Sequence, residues 1–339
     1  MSTRKKKKDG KRAFLIALCI ILALALVALI GATIWLESML GMLGRNVDNS
    51  TMSAEEYEAL FGVSIDPNSG SFAGPLLENG DEIINILLIG QDRRDGEGRQ
   101  RSDAMILCTL NLKTKSLTMT SFMRDMYVEI PGYGSNRINA CYQIGGMTLL
   151  DECLKNNFGI EVDGNIEVDF SGFMTVIDSI GGIDIELNAS EAAYLNRRGN
   201  WDVDNSTAGQ WSLVEGVNHL TGEQALAYSR IRYIGNADFE RTERQRNVLN
   251  AVMEECKAMN ATQLNALLRE FLPLMTTDMT NAQIISYAMQ AFPMLVDMQI
   301  ETCRIPADDA YYNADVNGMS VLMPNLEKSR ELLSQMLGN

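Results

Sequence analysis

The chain has 339 residues, of which 46% are hydrophobic, and a formal net charge of −15. This length accommodates one large domain or two ordinary ones, and the apolar content is ample for a core. So acidic a chain repels nucleic acid, which excludes DNA and RNA as partners. A single histidine and the lack of a C-x-x-C pair argue against a zinc site.

The N-terminus differs in charge from the rest of the chain. Residues 1–12 hold seven basic side chains and one acidic one, whereas the 24 residues of 13–36 carry no charge. Such a run is long enough to cross a bilayer as a helix, with its basic flank in the cytoplasm. A cleaved signal peptide is the alternative, but the run is long for one and no clear A-x-A site follows. We therefore predict a basic cytoplasmic tail at 1–12, a single transmembrane helix at 13–36 and an extracytoplasmic remainder, which places the protein in the cell membrane.

Beyond the predicted span, the composition indicates a linker and then one domain. Residues 37–80 combine a short amphipathic piece with a run rich in Pro, Gly, Ser and Asn, which predicts an extracytoplasmic spacer. Residues 81–339 are predicted to form the domain. It begins with a buried strand at 83–90, followed by a polar loop that lacks the pattern of a nucleotide P-loop.

Two predicted strands, 103–112 and 116–123, flank a turn at residues 113–115. If they form a hairpin, the start of one strand lies beside the end of the other. Arg101 and Asp103 would then lie next to Arg124 and Asp125 at one end of the sheet. Asp92 joins them if the first predicted strand runs parallel to the third.

The remaining elements alternate between helices and strands, which indicates an α/β domain with helices on both faces of a sheet. The pattern predicts strands at 166–170, 183–187 and 298–306, a long polar loop at 197–216, and helices at about 146–157, 171–180, 242–259, 262–275, 280–292 and 325–337.

Five arginines occur within residues 230–246 of this acidic chain, which suggests an anionic ligand. A helix is predicted from Asp238, with that aspartate as its N-cap. Arg241 and Gln245 share a helical stripe with Val248, so they are predicted to point inward. An inward arginine requires a carboxylate or a phosphate as partner. The alternative is a solvated helix with ion pairs along its surface.

Carboxylates that hold Mg²⁺ and arginines that clamp anionic oxygens are the components of a phosphoryl-transfer site. The alternative is a set of structural ion pairs at the end of a sheet. The lone histidine, His219, precedes a predicted helix at Gly222, and we predict a structural role for it. The spacing of Cys141 and Cys153 permits a local disulfide, which the sequence leaves open.

Seven motifs occur in order along the chain: NILLIGQD, RSDAMIL, SFMRDMYVEIPG, RINACY, FSGFMTVIDSIGGIDIEL, LTGEQALAYSRIRY and DFERTERQRNVL. On these motifs the chain resembles the LytR-CpsA-Psr family of membrane-anchored cell-wall ligases of Gram-positive bacteria. The resemblance implies a three-layer α/β/α fold with a central mixed sheet and a hydrophobic groove for a polyprenyl tail. It also implies transfer of a glycopolymer (teichoic acid, capsule or a related polymer) from a polyprenyl-pyrophosphate carrier onto peptidoglycan, with formation of a phosphodiester.

The same resemblance assigns the site residues. It implies that Asp92 and Asp103 bind Mg²⁺, or Mn²⁺ in its place. The residues that match pyrophosphate contacts are Arg101, Arg124, Arg137, Arg230, Arg232, Arg241, Gln245 and Asp238. Those with a catalytic role are Asp92, Asp103, Arg101, Arg124 and Arg241. Arg137 stands where the family often has lysine, which keeps the charge and changes the hydrogen-bonding geometry. The alternative functions are a polyprenyl-pyrophosphate phosphatase and a non-catalytic scaffold or regulator that binds lipid or polymer.

Overall fold

The computed structural model describes residues 32–45, 47–69, 77, 82–91, 98–197, 211–232, 234, 237–294 and 298–337. The chain divides into two units, Met1–Leu43 and Gly44–Asn339. In the first unit, residues 32–40 are helical and are labelled α1. Within the described ranges no helix is both long and apolar enough to span a membrane. The predicted tail and most of the predicted span at 13–36 lie outside those ranges.

The second unit contains the remaining described elements. Its strands are β1 Ile83–Gln91, β2 Ser102–Asn111, β3 Ser116–Phe122, β4 Tyr127–Ile130, β5 Gly134–Arg137, β6 Gly164–Asp169, β7 Ile183–Leu187, β8 Gly216–Leu220, β9 Met275–Thr277, β10 Gln299–Ile305, β11 Tyr311–Val316 and β12 Met319–Pro324. Its helices are α2 Ala54–Phe61, α3 Asn139–Phe158, α4 Phe170–Ser179, α5 Ala189–Leu195, α6 Gly222–Ser229, α7 Ala237–Ala258, α8 Ala261–Phe271, α9 Asn281–Ala291 and α10 Leu326–Leu337.

The central sheet has six strands in the order β10-β3-β2-β1-β6-β9. Strand β2 is antiparallel to both β1 and β3, while β6 is parallel to β1 and β10 is parallel to β3. The sheet is therefore mixed, and β1, β3, β6 and β10 all run in the same direction. The predicted α/β class, the hairpin of 103–112 with 116–123, and the parallel direction of the first and third predicted strands are confirmed.

Helices cover both faces of the sheet, as predicted. On one face, Leu87 and Ile89 of β1 belong to the main core cluster together with residues of α3. On the other face, α4 contacts β6 and α7 contacts β3, and these helices contribute to a second core cluster with β7, β8, α5 and α6. The sheet thus separates two cores.

Helix α3 begins at Asn139 but is interrupted by non-helical backbone at Gly145 and Gly146. The predicted helix at about 146–157 corresponds to its second part. Gly146 has a φ of +66°, and a Cβ at this position would lie 2.5 Å from the Asp48 backbone oxygen and from Asn49 Oδ1. Only glycine combines this conformation with so close an approach of residues 48–49.

Residues 47–69 pack against the domain, in the stretch that the sequence suggests is a spacer. Helix α2 is fixed by a capping box between Ser53 and Glu56, and its Tyr57 is completely buried in the main core cluster. The spacer prediction for 37–80 rests on local composition, which does not reveal a single aromatic anchor such as Tyr57.

Three smaller expectations can be compared with the structure. Helix α7 begins at Ala237, so the prediction of Asp238 as its N-cap is wrong and Asp238 lies in the first turn.

Cys141 and Cys153 are free, buried thiols, so the disulfide that their spacing permits is not formed. His219 lies on β8, where its ring contacts Asp184 Oδ1 and the Gly181 backbone oxygen at 2.7 Å each, in agreement with a structural role. Most of the predicted loop at 197–216 lies outside the described residues.

Candidate active site

The sheet topology brings Arg101, Asp103 and Arg124 to one end of the sheet, here called the edge. Strands β1, β3, β6 and β10 end at this edge and β2 begins there, because Gln91 pairs with both Ser102 and Asp169, and Phe122 pairs with Ile305. Residues that immediately follow or precede these positions therefore lie near one another, at the carboxyl ends of strands where ligands commonly bind in α/β proteins.

A chain of ion pairs occupies this edge. Arg124 Nη1 donates to Asp103 Oδ1, and Arg124 Nε lies 3.5 Å from Asp125 Oδ2. Arg137, at the end of β5, donates from Nη1 to Asp125 Oδ1 at 3.1 Å. The hairpin inference from the sequence thus correctly placed Asp103 beside Arg124. Two carboxylates alternate with two guanidinium groups along this chain.

Arg101 adds a third positive charge next to this row of ion pairs. Its Nε donates to Gln143 Oε1 at 3.2 Å, and its Cζ lies 5.4 Å from the centre of the Phe61 ring. Burial, together with the charges of Arg137 and Arg124, lowers the pKa of Arg101 from its ordinary value. Its Nη1 and Nη2 nitrogens donate to no residue in the described ranges. The guanidinium is therefore held from one side, with its outer nitrogens available to an anion.

The arginines of residues 230–246 belong to α7 and to the segment that joins it to α6, and both helices contribute to the second core cluster. Arg241 is 3% exposed and Val248 is 1% exposed, which confirms the predicted inward stripe of α7, and Gln245 is half-buried. Arg230 follows α6, and its Cζ lies 4.4 Å from the centre of the Phe170 ring. Arg232, which follows it in the chain, is also half-buried.

Two further arginines of this cluster have structural roles. Arg244 donates to Glu191 Oε1 at 2.7 Å, to Glu240 Oε2 at 2.6 Å and to the Ile231 backbone oxygen at 3.2 Å. The pair of Arg244 with Glu240 that the alternative interpretation predicts is present, but Arg244 is 2% exposed, so the helix is not solvated at this residue. Arg246 donates to Ser121 Oγ at 2.8 Å and so joins α7 to the end of β3. This contact holds the α7 side of the molecule against the edge that carries Arg124.

An apolar strip on the sheet leads toward the charged edge. Alternate residues of a strand share a face, and on the face opposite α3 the side chains of Ile86, Leu88, Ile166 and Val168 are only half-buried. The strip is continuous across strands, since Leu88 pairs with Ile166, and it reaches the edge at Gly90. Aliphatic side chains in the middle of a sheet covered by helices are normally fully buried. This strip is therefore suited to contact an apolar ligand.

A family model for the LytR_cpsA_psr family matches residues 46–337. The chain belongs to the LytR-CpsA-Psr family. The lower boundary of the match agrees with the packing of residues 47–69 into the domain. The family assignment made from the seven motifs is confirmed.

Relatives within the LytR-CpsA-Psr family carry two kinds of name. Regulatory protein MsrR of Staphylococcus aureus (strain COL) is 27% identical over 78% of this chain and 77% of its own length. Polyisoprenyl-teichoic acid--peptidoglycan teichoic acid transferase TagU of Bacillus mycoides (strain KBAB4) is 36% identical over 51% of this chain and 53% of its own. The solved structure of TagT bound to LIIa-WTA has a TM-score of 0.61 at 25% identity and covers 76% of this chain and 91% of that one. Of these relatives, TagU is named a teichoic acid transferase and MsrR a regulatory protein.

Two acidic residues suggested by the LytR-CpsA-Psr motifs, Asp92 and Asp238, lie at the margins of the described ranges. Asp92 lies outside the described residues, one position after Gln91 at the edge. The backbone of Asp238 lies in α7, and its side chain is not described. No group of three or more His, Cys, Asp or Glu side chains suited to a metal occurs in the described part of the chain. Asp103 Oδ1 is paired with Arg124, and the carboxylate is 27% exposed.

The structure adds a buried network that the sequence interpretation missed. Glu167 is 6% exposed and accepts hydrogen bonds from Gln91 Nε2 and, at 2.5 Å, from the Tyr142 hydroxyl. Gln91 Oε1 in turn accepts from the Gln100 backbone N–H at 3.1 Å. The network thus holds Gln91 and Gln100 together, on either side of Asp92 in the sequence. The signal that could have revealed it is the acidic residue at an inward position of the strand segment IEVD.

Proposed function

We propose that this protein is a membrane-anchored phosphotransferase that moves a glycopolymer from a polyprenyl-pyrophosphate carrier onto peptidoglycan. The polymer is a teichoic acid, a capsular polysaccharide or a related glycopolymer. The single observation that carries the proposal is the position of Arg101, Arg124 and Arg137 at the end of a half-open apolar strip. A ligand with an anionic head group and a long apolar tail complements this combination of arginines and apolar side chains.

The arginines would act on the pyrophosphate group. Arg101 and Arg124 from the sheet edge and Arg137 from β5 would bind its oxygens, and Arg230, Arg232 and Arg241, with Gln245 and Asp238, would complete the site from the α6–α7 side. An acceptor hydroxyl oxygen attacks the phosphorus that bears the sugar, and the bond from this phosphorus to the bridging oxygen breaks. Polyprenyl phosphate leaves, a phosphodiester forms, and the hydroxyl proton passes to a site carboxylate. Fixed positive charges stabilise the negative charge of this transition state.

A divalent cation fits the chemistry of this edge. Mg²⁺ is usually bound by one or two carboxylates together with phosphate oxygens and water. The second oxygen of Asp103 meets this requirement, and Asp92 would be the further ligand, for Mg²⁺ or for Mn²⁺. The cation would supply charge neutralisation at the pyrophosphate.

The cellular setting is part of the proposal. The apolar run at 13–36 would anchor the chain as a single span, with residues 1–12 in the cytoplasm and the domain outside. In this position the site would reach both a membrane-embedded polyprenyl carrier and peptidoglycan. The name of TagU gives a polyisoprenyl-linked donor and peptidoglycan as acceptor, which supports this pair of substrates.

The test is a transfer assay with defined products. The full-length protein in detergent is incubated with a polyprenyl-pyrophosphate-linked oligosaccharide, peptidoglycan fragments and Mg²⁺, and the products are followed by mass spectrometry. We expect a new sugar-phosphate-sugar linkage from the wild type, its loss in Arg101→Ala, and its retention in Arg269→Ala, which removes an exposed arginine of α8.

Other products would favour the other candidate functions. Release of free phosphorylated oligosaccharide without any linkage would identify a phosphatase. Lipid binding without turnover would favour a scaffold or a regulator, for which the name of MsrR gives precedent.

A further inference from the structure

Helix α2 is built into the domain next to the site. The Tyr57 ring is fully buried, lies 5.3 Å from the Tyr133 ring and receives a hydrogen bond of 3.4 Å from Asn136 Nδ2 on its hydroxyl. One helical turn later, Phe61 is the last residue of α2, and its ring lies 4.7 Å from that of Tyr57. The left-handed Gly62 ends the helix there. The position of Phe61 is thus determined by a buried aromatic neighbour.

The segment before α2 is held by a buried arginine. Arg99, whose side chain is 9% exposed, donates to the backbone oxygens of Ser50 at 2.6 Å, Ile144 at 3.1 Å and Gln143 at 3.2 Å, and pairs with Asp48 at 3.2 Å. Gln143 therefore binds two arginines. Its backbone oxygen accepts from Arg99, and its side-chain oxygen accepts from Arg101. The docking of residues 48–50 and the orientation of Arg101 depend on the same residue.

We propose that Phe61 is a positioning residue of the site and that residues 47–61 are consequently part of the anion-binding unit. The guanidinium of Arg101 lies over the face of the Phe61 ring, with its Cζ 5.4 Å from the ring centre. The inference rests on the proposed function only in taking a pyrophosphate group as the anion.

The physical reason lies in the charges around Arg101. Arg124 and Arg137 repel it, and the carboxylates of Asp103 and Asp125 already pair with those two arginines. An aromatic face attracts a cation through its quadrupole but carries no net charge. Phe61 therefore opposes the repulsion without neutralising Arg101, which keeps the full charge of the guanidinium for the ligand. A carboxylate in the same place would compete with the anion.

The experiment measures binding of inorganic pyrophosphate to the full-length protein in detergent by isothermal titration calorimetry. We expect Phe61→Ala and Phe61→Leu to weaken binding about fivefold, the size of one cation–π contact, and Phe61→Tyr to restore it. Val63→Ala, which truncates an exposed apolar side chain just beyond the end of the same helix, should bind as the wild type does. Thermal unfolding of each variant checks that the domain is intact.

A double-mutant cycle separates positioning from general stability. In an Arg101→Ala background, Phe61→Ala should have no further effect on pyrophosphate affinity, since the ring acts through that guanidinium. An equal loss in both backgrounds, or no loss from Phe61→Ala in folded protein, would overturn the inference. So would failure of the wild type to bind pyrophosphate. Binding of pyrophosphate without polymer transfer would instead reject the proposed function, and the coupling between Phe61 and Arg101 would still be measured.

Discussion

Asp151 on α3 is a carboxyl group whose ionisation opposes folding. Its Oδ2 accepts a hydrogen bond of 2.8 Å from Asn165 Nδ2, which also donates to Asp278. Burial raises the pKa of Asp151 from 3.8 to about 7, and the charges of Asp278 and Glu152 contribute to the rise, whereas the bond from Asn165 opposes it. The folded protein therefore keeps a proton that the unfolded chain releases at lower pH.

The sign and size of the effect follow from this difference. Because the folded-state pKa is the higher one, the stability that Asp151 contributes is complete below about pH 4 and is lost as the pH rises through about 7. A rise from 3.8 to about 7 corresponds to about 4 kcal/mol. The side chain retains some exposure to water, and screening reduces the expected contribution to about 2 kcal/mol.

The variant Asp151→Asn tests this reasoning, since it keeps an oxygen for Asn165 Nδ2 and cannot ionise. Urea unfolding of the wild type and the variant is compared at about pH 5 and about pH 8. We expect the variant to gain about 1 kcal/mol relative to the wild type between these two pH values, because part of the contribution of Asp151 is already lost below pH 5. Glu186→Gln, at an exposed position of β7 that does not contribute to the pKa of Asp151, is the control and should change little with pH. A difference between Asp151→Asn and the wild type that stays constant over this pH range would refute the argument.

Two further substitutions test the packing that surrounds the site. Gly146→Ala should destabilise the domain by about 3 kcal/mol in urea unfolding, because a Cβ there meets backbone in a left-handed conformation. Gly132→Ala, at a φ of +78° with open space around it, should cost only about 1 kcal/mol, and equal losses would contradict the close contact with residues 48–49. Arg244→Ala should cost about 3 kcal/mol, because it leaves the Glu191 carboxylate buried without its partner. A loss below about 1 kcal/mol in the same measurement would mean that this ion pair contributes little.

The part of the site formed by neighbouring strands was predictable from sequence. Strands β2 and β3 are joined by a short turn, so their register follows from local pattern, and the contact of Asp103 with Arg124 follows from the register. The end of β1 was expected at this edge because β1 was predicted to run parallel to β3. Short strands such as β9, with three residues, carry too little pattern to be recognised.

Contacts between distant segments were not predictable in this way. Periodicity shows that Arg241 points inward, but it does not show that Arg244 is buried against Glu191, which is 53 residues away. The contact between Phe61 and Arg101 likewise joins two segments that appear unrelated in sequence. Local composition assigned the first of these segments to a linker, since its polar and glycine-rich surroundings outweigh one buried tyrosine.

The charges at the sheet edge explain how an acidic protein could hold a pyrophosphate. Outside residues 1–12 the chain carries a formal net charge of −21, which repels anions at long range. At physiological ionic strength this repulsion is screened beyond about 8 Å, so contacts within the site decide binding. There, Asp103 and Asp125 pair with Arg124 and Arg137, while Arg101 is supported by an uncharged amide and an uncharged ring. The edge thus has one more positive than negative charge among these groups. An anion that bridges Arg101 and its neighbours would relieve their mutual repulsion, and this relief would favour binding despite the acidic character of the whole protein.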